Sequence, residues 1–361
     1  MGYMLMPAII SSVIDKFEIS THQAGLTASC LLGSLALAMF ITTPFLTRLD
    51  SIKICRFGCA VVIVGYAFAA IAPNLVTVII ALSLAGAGMG VSIAGGDAIV
   101  SSRDNPDRLF AFIFALGQFT AFVLLIAFIP KATQIAGFTG LCCVLAVWSL
   151  LMLISLFMSR GEVKTEDSTY VHGSSTLSLF IVPIVIALFA IGFSDASVWP
   201  FTGEVGMSVG LNETDAQAIQ GLALLAGIVG ATLAGILSDR IGRKIPLAAG
   251  LVVLAAMYFS VLTAQTVFVY AAAQIIALFF YGFSIPYLFG ISSELDSSGQ
   301  IMATASGMQM LGVAVAPWIA GILIAGPGLS AVGIVVAGAV FLTLILAFRS
   351  QSKISKSTQE D

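Results

Sequence analysis

The stretch GILSDRIGRK, residues 235–244, gathers four charges, Asp239, Arg240, Arg243 and Lys244, into six positions of a chain with only 9% charged residues. GLALLAGIVGATLA precedes it and IPLAAGLVVLAAMYFSVL follows, both almost purely apolar. A charged turn between two apolar runs reads as a loop held at a membrane surface between two crossings. The rest of the chain agrees. Of its 361 residues, 59% are hydrophobic, where a soluble domain is nearer half apolar and about a quarter charged. Apolar runs of about 20 residues are long enough to cross a bilayer core of ~30 Å. The short alternating segments of a β-barrel are not seen. The expected class is therefore an all-α, multi-pass membrane protein.

Apolar runs place twelve helices, near 1–14, 22–46, 53–73, 74–100, 107–130, 133–158, 176–203, 215–237, 245–264, 267–292, 299–325 and 328–348. The first is short. Fourteen residues at 1.5 Å each reach roughly 21 Å. It reads as the second half of a helix whose beginning is missing, through a misassigned start or a true truncation. Twelve crossings place connections on alternating sides, and the basic residues test that parity. Of 15 Lys and Arg, only Lys16 and Lys131 fall on one side, and the other 13 fall on the opposite one. The positive-inside rule makes the rich side, which includes the C-terminus, cytoplasmic. The expected location is the cell (inner or plasma) membrane.

The longest hydrophilic connector, SRGEVKTEDSTYVHGSS at 159–175, divides the chain. The expected domains are an N-terminal six-helix half over 1–160, a cytoplasmic linker over 161–175, and a C-terminal six-helix half with a cytoplasmic tail over 176–361. The halves correspond at an offset near 191 residues. Asp239 falls opposite Arg48 in TPFLTRLDSIK, and DNPDR at Asp104 precedes the fifth run as DSSGQ at Asp296 precedes the eleventh.

With that repeat in place, GILSDRIGRK resembles the G-x-L-[ST]-D-R-x-G-R-[KR] signature of the major facilitator superfamily, between the second and third helices of a half. The match runs through Gly235, Leu237, Ser238, Asp239, Arg240, Gly242, Arg243 and Lys244. The resemblance implies two pseudo-symmetric six-helix bundles. It also implies transport of a small molecule by alternating access and a gating role for this loop. Gly235 is expected to let its helix approach a neighbour, together with Gly227 and Ala231. Gly242 is expected to permit the tight turn, and Asp239 to accept bonds from nearby donors. A loop that simply retains charge in the cytoplasm is the alternative. The first-half copy departs from the pattern, with Thr43 in the glycine slot and Arg48 in the aspartate slot. LAGAGMG, with Gly86, Gly88 and Gly90, resembles the family's glycine-rich fourth helix. Leu82 stands where many proton-coupled members carry arginine. The fifth run lacks the Gly-Pro pair of drug/proton antiporters, and both absences weaken an antiporter reading.

Ionisable groups inside a membrane are costly and are functional candidates by default. No Lys or Arg lies deep in any run. Asp195, in GFSDASVWPF, is the candidate proton-coupling residue. Trp199 follows one turn later on the same helical face, and Pro200 is expected to bend the helix. The alternative for Asp195 is an acid at the outer mouth, satisfied by water. Glu204 is expected at a solvated helix end, and Asp97 is expected to pair with Arg103, Arg108 or Arg48. Gln118 and Gln309 lie 191 residues apart, near the middle of the fifth and eleventh runs. An unpaired amide in lipid costs several kcal/mol, so both are expected to face a cavity; helix–helix hydrogen bonding is the alternative. Gln274 and Tyr281, two turns apart in the tenth run, complete the substrate set.

His22 and His172 lie in or near loops and offer neither a metal cluster nor a catalytic triad. The five cysteines sit in or beside apolar runs without ligand spacing. No enzymatic role, metal or cofactor is expected. The expected partners are a small, non-anionic substrate, the lipid bilayer and, as a candidate coupling ion, protons. The net charge of −3 gives no reason to expect nucleic acid, and the expected state is a monomer. A membrane sensor, an inactive truncated paralogue and, behind both, a membrane-embedded enzyme are the alternatives.

Overall fold

The computed structural model of the chain describes residues 3–42, 45–46, 49–101, 106–158, 178–241, 244–294 and 300–360. It is built of helices: α1 Met6–Phe17, α2 Thr21–Thr42, α3 Ser51–Ala70, α4 Leu75–Ser101, α5 Pro106–Val123, α6 Ile129–Met158, α7 Ser178–Val198, α8 Thr202–Ser208, α9 Glu213–Ile241, α10 Lys244–Leu262, α11 Val267–Glu294, α12 Gln300–Ala325 and α13 Leu329–Glu360. Ten described segments have the length and apolarity to cross a membrane. One of them, Ala115–Met158, has 44 residues, about 66 Å of helix, which is two crossings. The short α1, 12 residues long, precedes these spans, and the crossings are numbered on the twelve expected from the sequence. The protein is an all-α, multi-pass membrane protein.

Local chemistry sets the helix ends. Asp50 caps α3 by accepting from the Ile52 N–H at 3.0 Å, and Asn74 and Asn212 cap α4 and α9 in the same manner. Ser20 and Gln23 form a reciprocal capping box at the start of α2.

One boundary differs from the sequence reading. The fifth run was expected to end at 130, beside Pro130 and Lys131. The helix instead continues through the π-turn Leu124–Phe128 and into α6, breaking only at Ala136 and Gly137 (φ +52°). Proline removes one N–H, and the widened turn before it absorbs that loss. Gly137 takes the left-handed conformation that reverses the chain.

Two compact units divide the chain, residues 1–170 and 171–361. In the first, α4 packs between α2 and α3, and α3 also packs on α6. Gly86 and Gly90 face the carbonyls of Leu31 and Leu35 on α2, whereas Gly88 faces α3. A Cβ at any of these would collide with backbone, so glycine here sets the interhelical distance. In the second unit, α9 packs on α11, α7 packs on α12 and α13, and α10 packs on α11 and α13. Gly282 of α11 meets the backbone of Gly227 on α9, and Gly230 meets the Phe279 carbonyl. Large apolar side chains such as Ile135, Phe268 and Ile334 point outward from these packed cores. In water such surface would drive aggregation; in lipid it is matched to its solvent.

Candidate functional site

The second unit carries a buried acid. Asp195 sits one turn before the end of α7 and is 2% exposed. The Tyr258 hydroxyl of α10, 1% exposed, donates to Asp195 Oδ1 at 2.6 Å. This length falls in the range of a charge-assisted O–H···O bond. α7 and α10 are the seventh and ninth crossings, so they run parallel, and both groups lie near the C-terminal ends of their helices. Asp195 is therefore not the water-satisfied acid at an outer mouth that stood as the alternative. Packing supplies a phenol from a helix that is not its chain neighbour.

Tyr281 of α11 lies within electrostatic range of Asp195 and Tyr258. Its hydroxyl accepts a long bond, 3.4 Å, from Gln309 Nε2 on α12. Gly192 of α7, one turn before Asp195, leaves room for the Gln309 backbone. Asp195, Tyr281 and Gln309 thus come together in one unit, joined by Tyr258. Between Lys164 and Arg349 the only cations in the sequence are Arg240, Arg243 and Lys244, so in the candidate spans of this half Lys and Arg stand only at the ends, at Lys244 and Arg349. Tyr258 went unrecognised in the sequence. Its signal was available: a phenol in an otherwise apolar run, whose hydroxyl needs a partner away from water.

Trp199 requires a correction. α7 stops at Val198, and Trp199–Phe201 form a 3₁₀ turn before α8. The shared face with Asp195 assumed one continuous α-helix, and Pro200 ends it. Trp199 is buried in this turn. The break is held by Thr202, whose hydroxyl donates to the Trp199 carbonyl at 2.9 Å and accepts from Gln220 Nε2 at 3.2 Å. Tyr270 donates to the Thr202 carbonyl at 2.8 Å. Glu204, expected at a solvated end, is half-buried with one oxygen shut off from solvent.

Gln274 is 1% exposed, and its Nε2 has no hydrogen-bond partner among the described residues. In the first unit, Gln118 of α5 is buried with its Oε1 in the same condition. Of the GILSDRIGRK loop, Gly242 and Arg243 and the side chains of Asp239 and Arg240 lie outside the described residues, as does that of Asp97. Lys244 opens α10 and is exposed. Gly235 is also exposed, and among the described residues no heavy atom lies within 4 Å of where its Cβ would stand. Of the expected small-residue ladder Gly227 does make a close approach, joined by Gly230, near the middle of α9 where it packs on α11.

Comparison with known proteins follows this geometry. Residues 184–361 match the sequence profile of the Major Facilitator Superfamily. Among curated proteins none matches the chain in sequence. Solved structures match over nearly its whole length. A D-xylose-proton symporter has TM-score 0.76 at 14% identity, covering 96% of this chain and 93% of that one. The xylose transporter XylE from E. coli, in a partially occluded inward-open conformation, gives 0.76 at 12%, covering 95% and 93%. A bacterial homologue of the human lysosomal transporter Spinster, inward-facing and unoccupied, gives 0.73 at 12%, covering 96% and 93%. At these identities the likeness is one of fold.

Proposed function

We propose that the chain, whose residues 184–361 match the Major Facilitator Superfamily profile, is a member of that family and carries a small, non-anionic solute across the cell membrane by alternating access, driven by proton exchange at Asp195. The observation that carries this reading is the Asp195–Tyr258 pair: a buried carboxylate held by a neutral hydroxyl at 2.6 Å, in a half whose candidate spans carry Lys or Arg only at their ends. A carboxylate paired with Arg or Lys stays ionised. One held by hydroxyls can take up a proton and become neutral without leaving an opposite charge buried alone. Uptake of that proton turns an acceptor-only group into a donor, which gives the two access states different preferred contacts.

In the second unit the solute is expected to meet Gln309 and Tyr281, with Gln274 and Trp199 supporting them; in the first unit Gln118 is the candidate solute contact. Amides and phenols pair with neutral hydroxyl, carbonyl or amine groups, and the lack of buried cations argues against a strongly anionic cargo. One structural neighbour is described as a D-xylose-proton symporter; that description supports the proton as driving ion and leaves the solute open. The loop of Gly235, Asp239, Arg240, Gly242, Arg243 and Lys244 acts in this reading as a gate on the cytoplasmic side, where the C-terminus also lies. The protein works as a monomeric carrier rather than an enzyme.

The test is a thermal-shift screen of purified protein against neutral and cationic metabolites, followed by uptake of each hit into proteoliposomes with and without a pH gradient. Accumulation of a hit only under the gradient is the expected result. Equal uptake in both conditions contradicts the proton reading and leaves facilitated diffusion or another ion.

A further inference from the structure

The geometry points to Tyr258 as a positioning residue that sets the proton exchange of Asp195, reaching it from the ninth crossing. This rests on the reading of Asp195 as the proton site, and its test keeps the two apart.

A hydroxyl both donates and accepts, so the same pair serves either charge state. When Asp195 is ionised, Tyr258 donates to Oδ1, as observed at 2.6 Å. When Asp195 is protonated, the carboxyl keeps that proton and donates it, and the phenol rotates to accept. No atom leaves the pair except the transported proton. Both partners are shut off from solvent, so water cannot stand in for whichever is removed.

The groups facing Asp195 from neighbouring helices support the assignment. α10 presents Tyr258. α11 presents Tyr281, in electrostatic range and bonded to Gln309 of α12. α13 packs on α7 and presents the Thr343 hydroxyl to the Ala187 carbonyl, more than two turns away. None of these is a cation. Neutral donors therefore tune the carboxylate, and the nearest of them has the greatest leverage. α10 does not continue the chain from α7, so Tyr258 also ties the charge state of Asp195 to the seating of α7 on its neighbours.

The test uses full-length protein in detergent and in proteoliposomes, carrying Trp148→Phe and Trp318→Phe so that Trp199 is the only indole. Its fluorescence, four residues from Asp195, is titrated against pH. The expected result is one transition that Asp195→Asn removes. Tyr258→Phe fills the same space without the hydroxyl, and should move the midpoint to higher pH by about one unit or more, because a donor to the ionised form is lost. Tyr281→Phe should move it less. A transition that persists in Asp195→Asn overturns the proton-site reading itself. A transition abolished by Asp195→Asn but unmoved by Tyr258→Phe overturns the role of Tyr258 alone. If Tyr258→Phe does not fold, the Tyr281→Phe protein is labelled throughout with 3-fluorotyrosine. Its more acidic phenols should lower the midpoint, and no shift there counts against the proposal.

Discussion

The two halves of this protein place charge in different settings. In the first, Lys16 and Arg56 sit at helix ends and serve the backbone. Lys16 Nζ donates to the Ala72 carbonyl just past α3 at 3.2 Å and lies about 5 Å over the rings of Phe17 and Phe138. Arg56 donates from Nε and Nη2 to the Leu156 carbonyl near the end of α6, at 3.3 and 2.9 Å, and lies over Phe157. These are favourable places for positive charge, because helix C-termini expose unpaired carbonyls. Neither cation needs to change state to do this work. In the second half the buried charge is an acid in the interior, and its bonded neighbour is a phenol that can reverse its role. One half uses charge to fasten helices, and the other, in the proposed function, holds it where a proton is exchanged.

That contrast can be broken at several points. The largest effect is expected where the halves are alike. Gly86→Val in the first and Gly282→Val in the second each push a side chain into a facing backbone. Overpacking of this kind costs about 1–3 kcal/mol or more, so both variants should lose folded yield and melt well below the parent. Gly235→Val, by contrast, meets open space among the described residues and should melt near the parent; a low melting temperature for that variant alone would show that α9 is packed where the structure leaves it open.

The gate comes next. Asp239→Asn should reduce turnover about tenfold at unchanged expression, since in the proposed function this loop acts as a gate rather than a binding contact. Transport assays against surface-expressed protein check this, and normal turnover would reduce the loop to a retained charge cluster.

Gln118→Ala and Gln309→Ala sharpen the comparison at pseudo-equivalent positions. Each should weaken solute affinity about fivefold, the worth of roughly one neutral hydrogen bond. If both amides grip one ligand, the double variant should depart from additivity in a mutant cycle. Strict additivity, or unchanged affinity, assigns them to helix packing. The smallest effects belong to the fastening cations. Lys16→Gln and Arg56→Gln should each cost about 1 kcal/mol of stability and leave the pH dependence of uptake unchanged.

How much of this was legible in the sequence follows from what each feature depends on. The helices were legible because an apolar run of bilayer length has few other stable fates. The GILSDRIGRK loop was legible because charge between two such runs has only one comfortable place. The break at Gly137 was not, since Pro130 seven residues earlier offered a stronger punctuation mark that a π-turn then accommodated. Trp199 was misplaced because periodicity carries across a proline that the helix does not survive. Tyr258 was not legible as a partner of Asp195, because no spacing along the chain brings the seventh and ninth crossings into register. That pairing is a product of packing, as are the close approach at Gly230 rather than Gly235 and the Tyr281–Gln309 contact.

The central claim, that the exchangeable charge lies in the second half at Asp195, is tested most directly by Asp195→Asn in proteoliposomes loaded with a solute identified by thermal shift. The substitution fixes the neutral form while keeping the size of the side chain. Counterflow exchange of labelled solute should continue at a rate near that of the parent, while accumulation driven by a pH gradient should be lost. Accumulation that survives under the gradient would contradict the account and move the coupling site elsewhere in the molecule.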